Sequence, residues 1–319
     1  MPKQSNPPRP KKGRSSPPQP PPFSRLEMDQ TLTNLQKLLA GQEFQSIDEV
    51  NAFLQRALQA HGGRLPESEP ETPLERAQAL VLRATQLTSP RRQRQLARQA
   101  LDLSPDCADA YSLLAQLEPV PTRKLVWLEQ AVAAGERALG ADRLKELEGH
   151  FWGAVETRPL MRAYAGLAEL SWVLGDRGRA TSLYHHMLRL NPQDNQGVRY
   201  MLAICLLEER TAEAQSTLQE LLNRFPEDAA AHWAYNRALL SFQLKQQTTD
   251  MADQALADAM RANPHVPPLL LGEKAMPQEL PQAIGFGDID EAIDYVAFAL
   301  NAWRHTSGAL PWLRTRCPR

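Results

Sequence analysis

The stretch PLMRAYAGLAELSWVLGDRGRATSLYHHMLRLNP, residues 159–192, decides the fold. Its apolar and small positions recur at helical spacing through two segments, 159–174 and 178–190. Leu190-Asn191-Pro192 stops the second segment, because proline cannot continue a helix. The same stop returns at Arg224-Phe225-Pro226, 34 residues later, and at Ala262-Asn263-Pro264 after a further 38. Leu103-Ser104-Pro105 supplies an earlier one. A proline stop after two amphipathic helices, at a period near 34 residues, predicts an all-α solenoid of stacked helix pairs, since one pair cannot bury its apolar face alone.

Working outward, residues 195–209 with 212–224 and 229–245 with 249–261 read as the following pairs. Residues 74–87 with 91–103 and 106–117 with 122–139 read as the preceding ones, Gly140 standing where the others end in proline. An irregular insertion, 142–157, carries Gly149, Phe151, Trp152 and Gly153. Gly166, Ala168 and Ala180, with Ala214 and Ala252 in the later pairs, sit where helices must cross closely. The array is expected to span 73–264, opened by Thr72 as N-cap, Pro73 as first helical residue and Glu75 as reciprocal capping partner.

Before the array, residues 24–60 predict a helical hairpin. Leu32, Leu35, Leu38 and Leu39 make one apolar stripe, and Ser46 and Glu49 form a capping box for the second helix. Residues 61–72 read as a linker with Pro66 and Pro70. Residues 1–23 hold nine prolines and predict a disordered, basic tail of polyproline II character. Its Pro7-Pro8-Arg9-Pro10 fits a PxxP pattern for an SH3-like partner, while a solubilising tail is the plainer reading. After the array, 265–319 is expected to be an extension. Residues 265–281 read as loop, and a capping helix over 289–304 follows, with Asp288 at its start and Glu291 favouring its positive end.

The net charge of −1 conceals an asymmetry. Residues 1–25 carry six Lys and Arg and no acid, leaving 30 basic against 37 acidic residues elsewhere, the mark of a charged tether on an acidic body. Cys107, Cys205 and Cys317 lie far apart and are odd in number, which argues against a disulfide framework and for a reducing compartment. No apolar run reaches the roughly 20 residues of a bilayer span, and the N-terminus lacks the apolar core of a secretory signal. The expected location is cytoplasmic.

No chemistry-bearing constellation emerges. His185 and His186 are adjacent, so on a helix their rings point about 100° apart and do not chelate one metal. Asp288, Asp290, Glu291 and Asp294 lack the spacing of a calcium loop. Gly285-Phe286-Gly287 could offer backbone N–H groups to an anion, but a tight turn into the helix is more economical. No phosphate-binding or nucleophile motif is present. The expectation is a chain without catalytic residues, cofactor or metal. Arg91, Arg92, Arg94 and Arg98 read as a solvated face, and no aromatic–basic interleaving supports specific nucleic-acid recognition.

The repeats resemble the tetratricopeptide (TPR) family, with the first-helix Trp and Tyr of its consensus mostly replaced. A second resemblance covers most of 26–314. Phe151-Trp152, Glu156-Thr157-Arg158-Pro159 and Asn191 through Tyr200 look like a bacterial family of repeat proteins. Asn263 through Leu271, Gly287-Asp288, Glu291-Ala292-Ile293, Trp303 and Gly308-Ala309-Leu310 are similar to the eukaryotic suppressor-of-tumorigenicity proteins of the ST-seven type. The resemblance implies helical-repeat scaffolds with no enzymatic activity to carry over. The eukaryotic members are membrane-associated, whereas this chain has no spanning segment.

In tetratricopeptide arrays the first helix of each pair lines the concave face. That register places Arg162, Ala165, Glu169, Trp172 and Val173 there from one pair, and Gln196, Arg199, Ala203 and Leu206 from the next. Arg162, Glu169, Trp172, Gln196 and Arg199 are the candidate partner-binding residues, suited to a protein or an extended peptide with an acidic group. The competing reading packs Trp172 into the core and pairs the arginines with Glu156 or Glu169. The leading expectation is a non-catalytic protein- or peptide-binding scaffold. The alternative is a nucleic-acid- or ribosome-associated tether acting through the basic tail.

Overall fold

A computed structural model describes residues 25–245, 250–281 and 283–317, without the side chain of residue 245. The proline-rich tail therefore lies outside the described residues. Every regular element among those described is helical. The chain divides into two compact units between Ser68 and Glu69.

The first unit is a hairpin of α1 (Arg25–Leu39) and α2 (Ile47–Ala60). Ser46 caps α2 by accepting from the Glu49 N–H at 3.2 Å. The carboxylate of Glu49 accepts from the Gln45 N–H rather than from Ser46, so the box is offset by one residue. The leucine stripe of α1 is half-buried, and the only buried residue of the two helices is Asn34, whose carbonyl accepts from the Ser68 hydroxyl at 2.7 Å.

The second unit begins with five helix pairs. They are α3 (Pro73–Thr85) with α4 (Pro90–Leu103), α5 (Ala108–Gln116) with α6 (Pro121–Glu146), and α7 (Arg158–Val173) with α8 (Arg177–Leu190). Then come α9 (Val198–Glu209) with α10 (Ala212–Arg224), and α11 (Ala231–Lys245) with α12 (Asp250–Ala262). Thr72 and Glu75 make the full reciprocal box at the entry to α3. Gly140 breaks α6 with φ 74°, and residues 142–146 then return to helix, so the irregular part of the insertion is two short 3-10 turns, Phe151–Gly153 and Val155–Thr157. Phe151 is fully buried there.

The small residues do what close crossing requires. Ala168, Ala180 and Ala252 have no accessible surface, and Ala214 is buried as well. A Cβ on Gly166 would stand 3.0 Å from Leu128 Cδ2, and one on Gly135 would stand 3.0 Å from Leu160 Cβ. Interiors this tightly packed leave no room for an added carbon without movement of the neighbour.

Beyond Pro264 come α13 (Val266–Leu270), α14 (Ile289–His305) and α15 (Ala309–Arg316). The prolines at 267 and 268 do not keep this segment in a loop. They fall in the first turn of α13, where the missing N–H has no intrahelical partner to lose. The capping helix α14 closes the array by packing along α9 and α11. It runs parallel to α11. At one end Glu291 accepts from the Ala231 N–H at 2.9 Å, and at the other the Gln243 side-chain amide donates to the Thr306 hydroxyl at 2.9 Å. Tyr295 and Trp303 of α14 are fully buried and joined by an indole N–H to hydroxyl bond of 2.8 Å.

Candidate partner-binding surface

The first helices α7 and α9 carry the candidate residues, except Gln196, which lies in the turn before α9. On α7, Arg162, Ala165, Glu169, Trp172 and Val173 fall on one face at helical spacing. Arg162 lies at the start of that face and is bidentate to Asp109 of α5, with Nε to Oδ1 at 3.0 Å and an Nη to Oδ2 at 2.8 Å. Both side chains are largely buried. Glu169 is exposed, Trp172 is half-buried against the core, and Val173 is 73% exposed. The cation stacked on Trp172 is Arg177 of α8, 4.8 Å from the ring centre.

Arg199 sits at the start of α9 in a network of its own. Its guanidinium donates to Asp228 at 2.7 Å, to Asp194 at 3.0 Å and to the Tyr200 hydroxyl at 2.8 Å. It also stacks over Tyr200 at 4.4 Å and Phe225 at 4.9 Å. Burial opposes its charge, but the bonds to Asp228, Tyr200 and Asp194 outweigh it and hold its pKa above the usual arginine value. Burial pushes the Asp194 carboxyl up, against backbone bonds from Arg199 and Val198 that favour the anion. Those two N–H groups make Asp194 the anchor of the α9 N-terminus.

The arginines thus belong to two separate clusters, and their partners are Asp109, Asp194 and Asp228. Glu156 is engaged elsewhere, with Arg143 at 2.6 Å. Gln196 is half-buried, and its side-chain oxygen is buried without a hydrogen-bond donor. Ala203 and Leu206, placed on the same face by the repeat register, are buried because α8, α10, α11 and α14 enclose α9. None of the three aspartates was singled out from sequence. Asp194, four residues before the start of α9, carried a capping signal. The pairings of Asp109 and Asp228 link residues 53 and 29 apart and left no local sign.

The Gly285 and Gly287 N–H groups are not offered to an anion. They donate to Asp288 at 3.0 Å and to Glu291 at 2.7 Å. Glu291 does more than favour its own helix, since it also accepts from the Asn263 amide at 2.9 Å and from Ala231. His185 and His186 both titrate below the usual histidine value, through burial and then the nearby Arg189. Among the described residues no three His, Cys, Asp or Glu side chains converge as metal ligands, and no helix is long and apolar enough to cross a membrane.

These features define an all-α helical-repeat protein of the tetratricopeptide type. Residues 174–238, which run from the end of α7 into α11, match the tetratricopeptide repeat family. The chain also resembles the suppressor of tumorigenicity 7 proteins. It is 28% identical over 242 residues to the suppressor of tumorigenicity 7 protein-like of Rattus norvegicus and equally to that of Mus musculus, covering 68% of this chain and 42% of each relative. To the protein ST7 homolog of Caenorhabditis elegans it is 27% identical over 259 residues, covering 69% of this chain and 46% of the relative. The chain spans less than half the length of these relatives.

Proposed function

We propose that this chain is a non-catalytic scaffold that captures a protein or peptide on the exposed face of α7. Repeats of this kind generally mediate protein–protein association, and their concave first-helix surface is where a partner would lie. The observation that carries the reading is the contrast in α7. Its buried side is fully packed, while Glu169 and Val173 stand exposed beside a half-buried Trp172. Tryptophan flanked by charge is a common energetic centre of interfaces. In this reading Glu169 and Trp172 contact the partner. Arg162, pinned by Asp109, and Gln196 and Arg199, at the start of α9, border the surface and fix its shape. The three free cysteines suit a reducing compartment, and we place the protein in the cytoplasm.

The test is affinity capture from lysate with the full chain and with the double variant Glu169→Arg, Val173→Asp. Both residues are exposed, so the variant should melt like the parent. Loss of the captured protein in the variant supports the α7 face, and undiminished capture refutes it. Deleting residues 1–24, with and without nuclease, separates a tail-borne contact. Capture that vanishes in those arms makes the basic tail the tether and the array a spacer.

A further inference from the structure

We propose that the cleft beside Phe286 is a second docking site, for a protein segment bearing a large apolar or aromatic side chain with a carboxylate close by in sequence. The proposal rests on the scaffold reading and adds a surface distinct from α7. Phe286 is 83% exposed, yet the loop that holds it is built and fixed. The N–H groups on either side of it are bonded to Asp288 and Glu291. Gly287 has φ +76°, and a Cβ there would stand 3.2 Å from the Ala262 carbonyl oxygen. A Cβ on Gly285 would come within 2.5 Å of Asp288 Oδ2. Asp288 has little freedom to yield, because its other oxygen caps α14 by accepting from the Glu291 N–H at 2.8 Å. Glycine on both sides and two carboxylates beneath hold the ring outward.

A single exposed aromatic needs no explanation on a protein surface. This one stands at the rim of a cleft of about 520 Å³, whose walls include Tyr200, Arg224 and Phe225. Ile284, on the same loop, is half exposed as well. Phe286 and Phe225 both line the cleft, so a partner's ring or branched side chain is its expected occupant. Because the loop is already ordered, little conformational entropy is lost on binding. Charge selects the neighbour of that anchor. Arg199 is neutralised by Asp194 and Asp228. Arg224 is not. Its guanidinium donates to the Pro192 carbonyl at 2.7 Å and stacks on Phe225, with no carboxylate paired to it among the described residues. Glu227 lines the same cleft and disfavours a run of acids, so one carboxylate beside one apolar anchor is the match.

The experiment selects phage-displayed random dodecapeptides on the full chain, then measures enriched peptides by fluorescence polarisation. The expected consensus is an aromatic or large aliphatic residue with Asp or Glu within a few positions. Phe286→Ser should weaken binding about tenfold or more without changing the melting temperature, an effect of the size of an interface anchor. Arg224→Glu should weaken the parent peptide and restore one whose acid is replaced by lysine. Peptides that bind Phe286→Ser as well as wild type overturn the cleft. If those same peptides are lost in Glu169→Arg, Val173→Asp, the scaffold reading survives without it. No enrichment also overturns the cleft and leaves capture to decide the scaffold reading. A concentration-dependent dimer in sedimentation, abolished by Phe286→Ser, overturns the proposal in favour of a second copy as occupant.

Discussion

Glu169 and Ala203 hold the same place in successive first helices, 34 residues apart, and meet opposite surroundings. Glu169 is exposed on α7, while Ala203 has no accessible surface on α9. Four residues on, Val173 is 73% exposed and Leu207 fully buried. The two helices share a register and a fold, so the difference comes from outside the pair. The capping helix α14 packs along α9 and completes its enclosure. The repeat therefore sets which residues can face a partner, and the non-repeating end of the chain decides which of them still do. A helix apolar on all sides is one buried on all sides, and α9 reads that way from Leu202 to Leu207.

Grafting the α7 residue onto α9 should have the largest effect. Ala203→Glu places a carboxylate at a position with no accessible surface. The cost is expected to be about 4 kcal/mol or more, within the range of buried unpaired charges. Thermal melting should show loss or severe lowering of the main transition. A variant that melts near the parent would mean that α14 leaves α9 readily and that the face is open in solution.

The link between α14 and the array can be cut more selectively at Glu291. Its carboxylate accepts from Ala231, Asn263 and Gly287, so Glu291→Ala strands donors at the start of α11 and in the loop. Hydrogen bonds to a charged group contribute about 1.5–3 kcal/mol each to stability, and with relaxation of the stranded donors a total of about 3 kcal/mol is expected. Denaturant unfolding would read it as a lower midpoint. On the α7 side, Arg162→Ala leaves Asp109 without its bidentate partner and should cost about 2 kcal/mol, the scale of a buried acceptor stripped of its donor. Adding Asp109→Asn to that variant should recover part of the loss. An unchanged double variant would show that the pair contributes shape rather than stability.

How far the sequence foretold this follows the same division. The proline stops, the 34-residue spacing and the alanines at 168, 180, 214 and 252 made the array legible, because each is a local demand of helix geometry or crossing distance. Helix caps at Thr72 and Asp288 were legible for the same reason. That the helix over 289–304 caps the array was legible too, but its packing along α9 and α11 was not. Periodicity says which face of a helix is apolar and nothing about which helix it will meet. Nor were the aspartates beside Arg162 and Arg199, since a long-range ion pair leaves no spacing rule. The helix α15 went unseen because eight residues with Pro311 inside them show no helical period. Of the candidate surface, the shared face of Glu169 and Trp172 could be read in advance, but the capture of both arginines by buried acids could not.

A pH titration sharpens the contrast at the α11–α14 contact. His232 is buried there, 3.4 Å from Asp294, with Asp228 and the rings of Tyr200 and Tyr295 also facing it. Burial, partly offset by Asp228, lowers its pKa from 6.5 to about 4. The unfolded chain therefore takes up this proton first as pH falls. The neutral ring's stability is present above about 6.5 and is lost progressively toward 4. Burial raises the Asp294 carboxyl, which works in the opposite sense. His185 and His186 add to the slope in the same sense as His232. His232→Gln should flatten the dependence by about 1 kcal/mol near pH 5.5, as one proton is worth about 1.4 kcal/mol per pH unit. Identical slopes in parent and variant would place His232 in water rather than in the contact.

The smallest effect is the reciprocal of the first. Glu169→Ala writes the α9 residue onto α7 at the same repeat position. Because Glu169 is exposed and alanine is the better helix former, stability should change by no more than about 0.5 kcal/mol. What should change is capture of the partner, since the substitution removes a charge from an exposed position on α7. Melting temperature and capture must therefore separate at residue 169 and move together at residue 203. If Glu169→Ala destabilises the chain as Ala203→Glu does, α7 is as enclosed in solution as α9, and the difference between the two helices disappears.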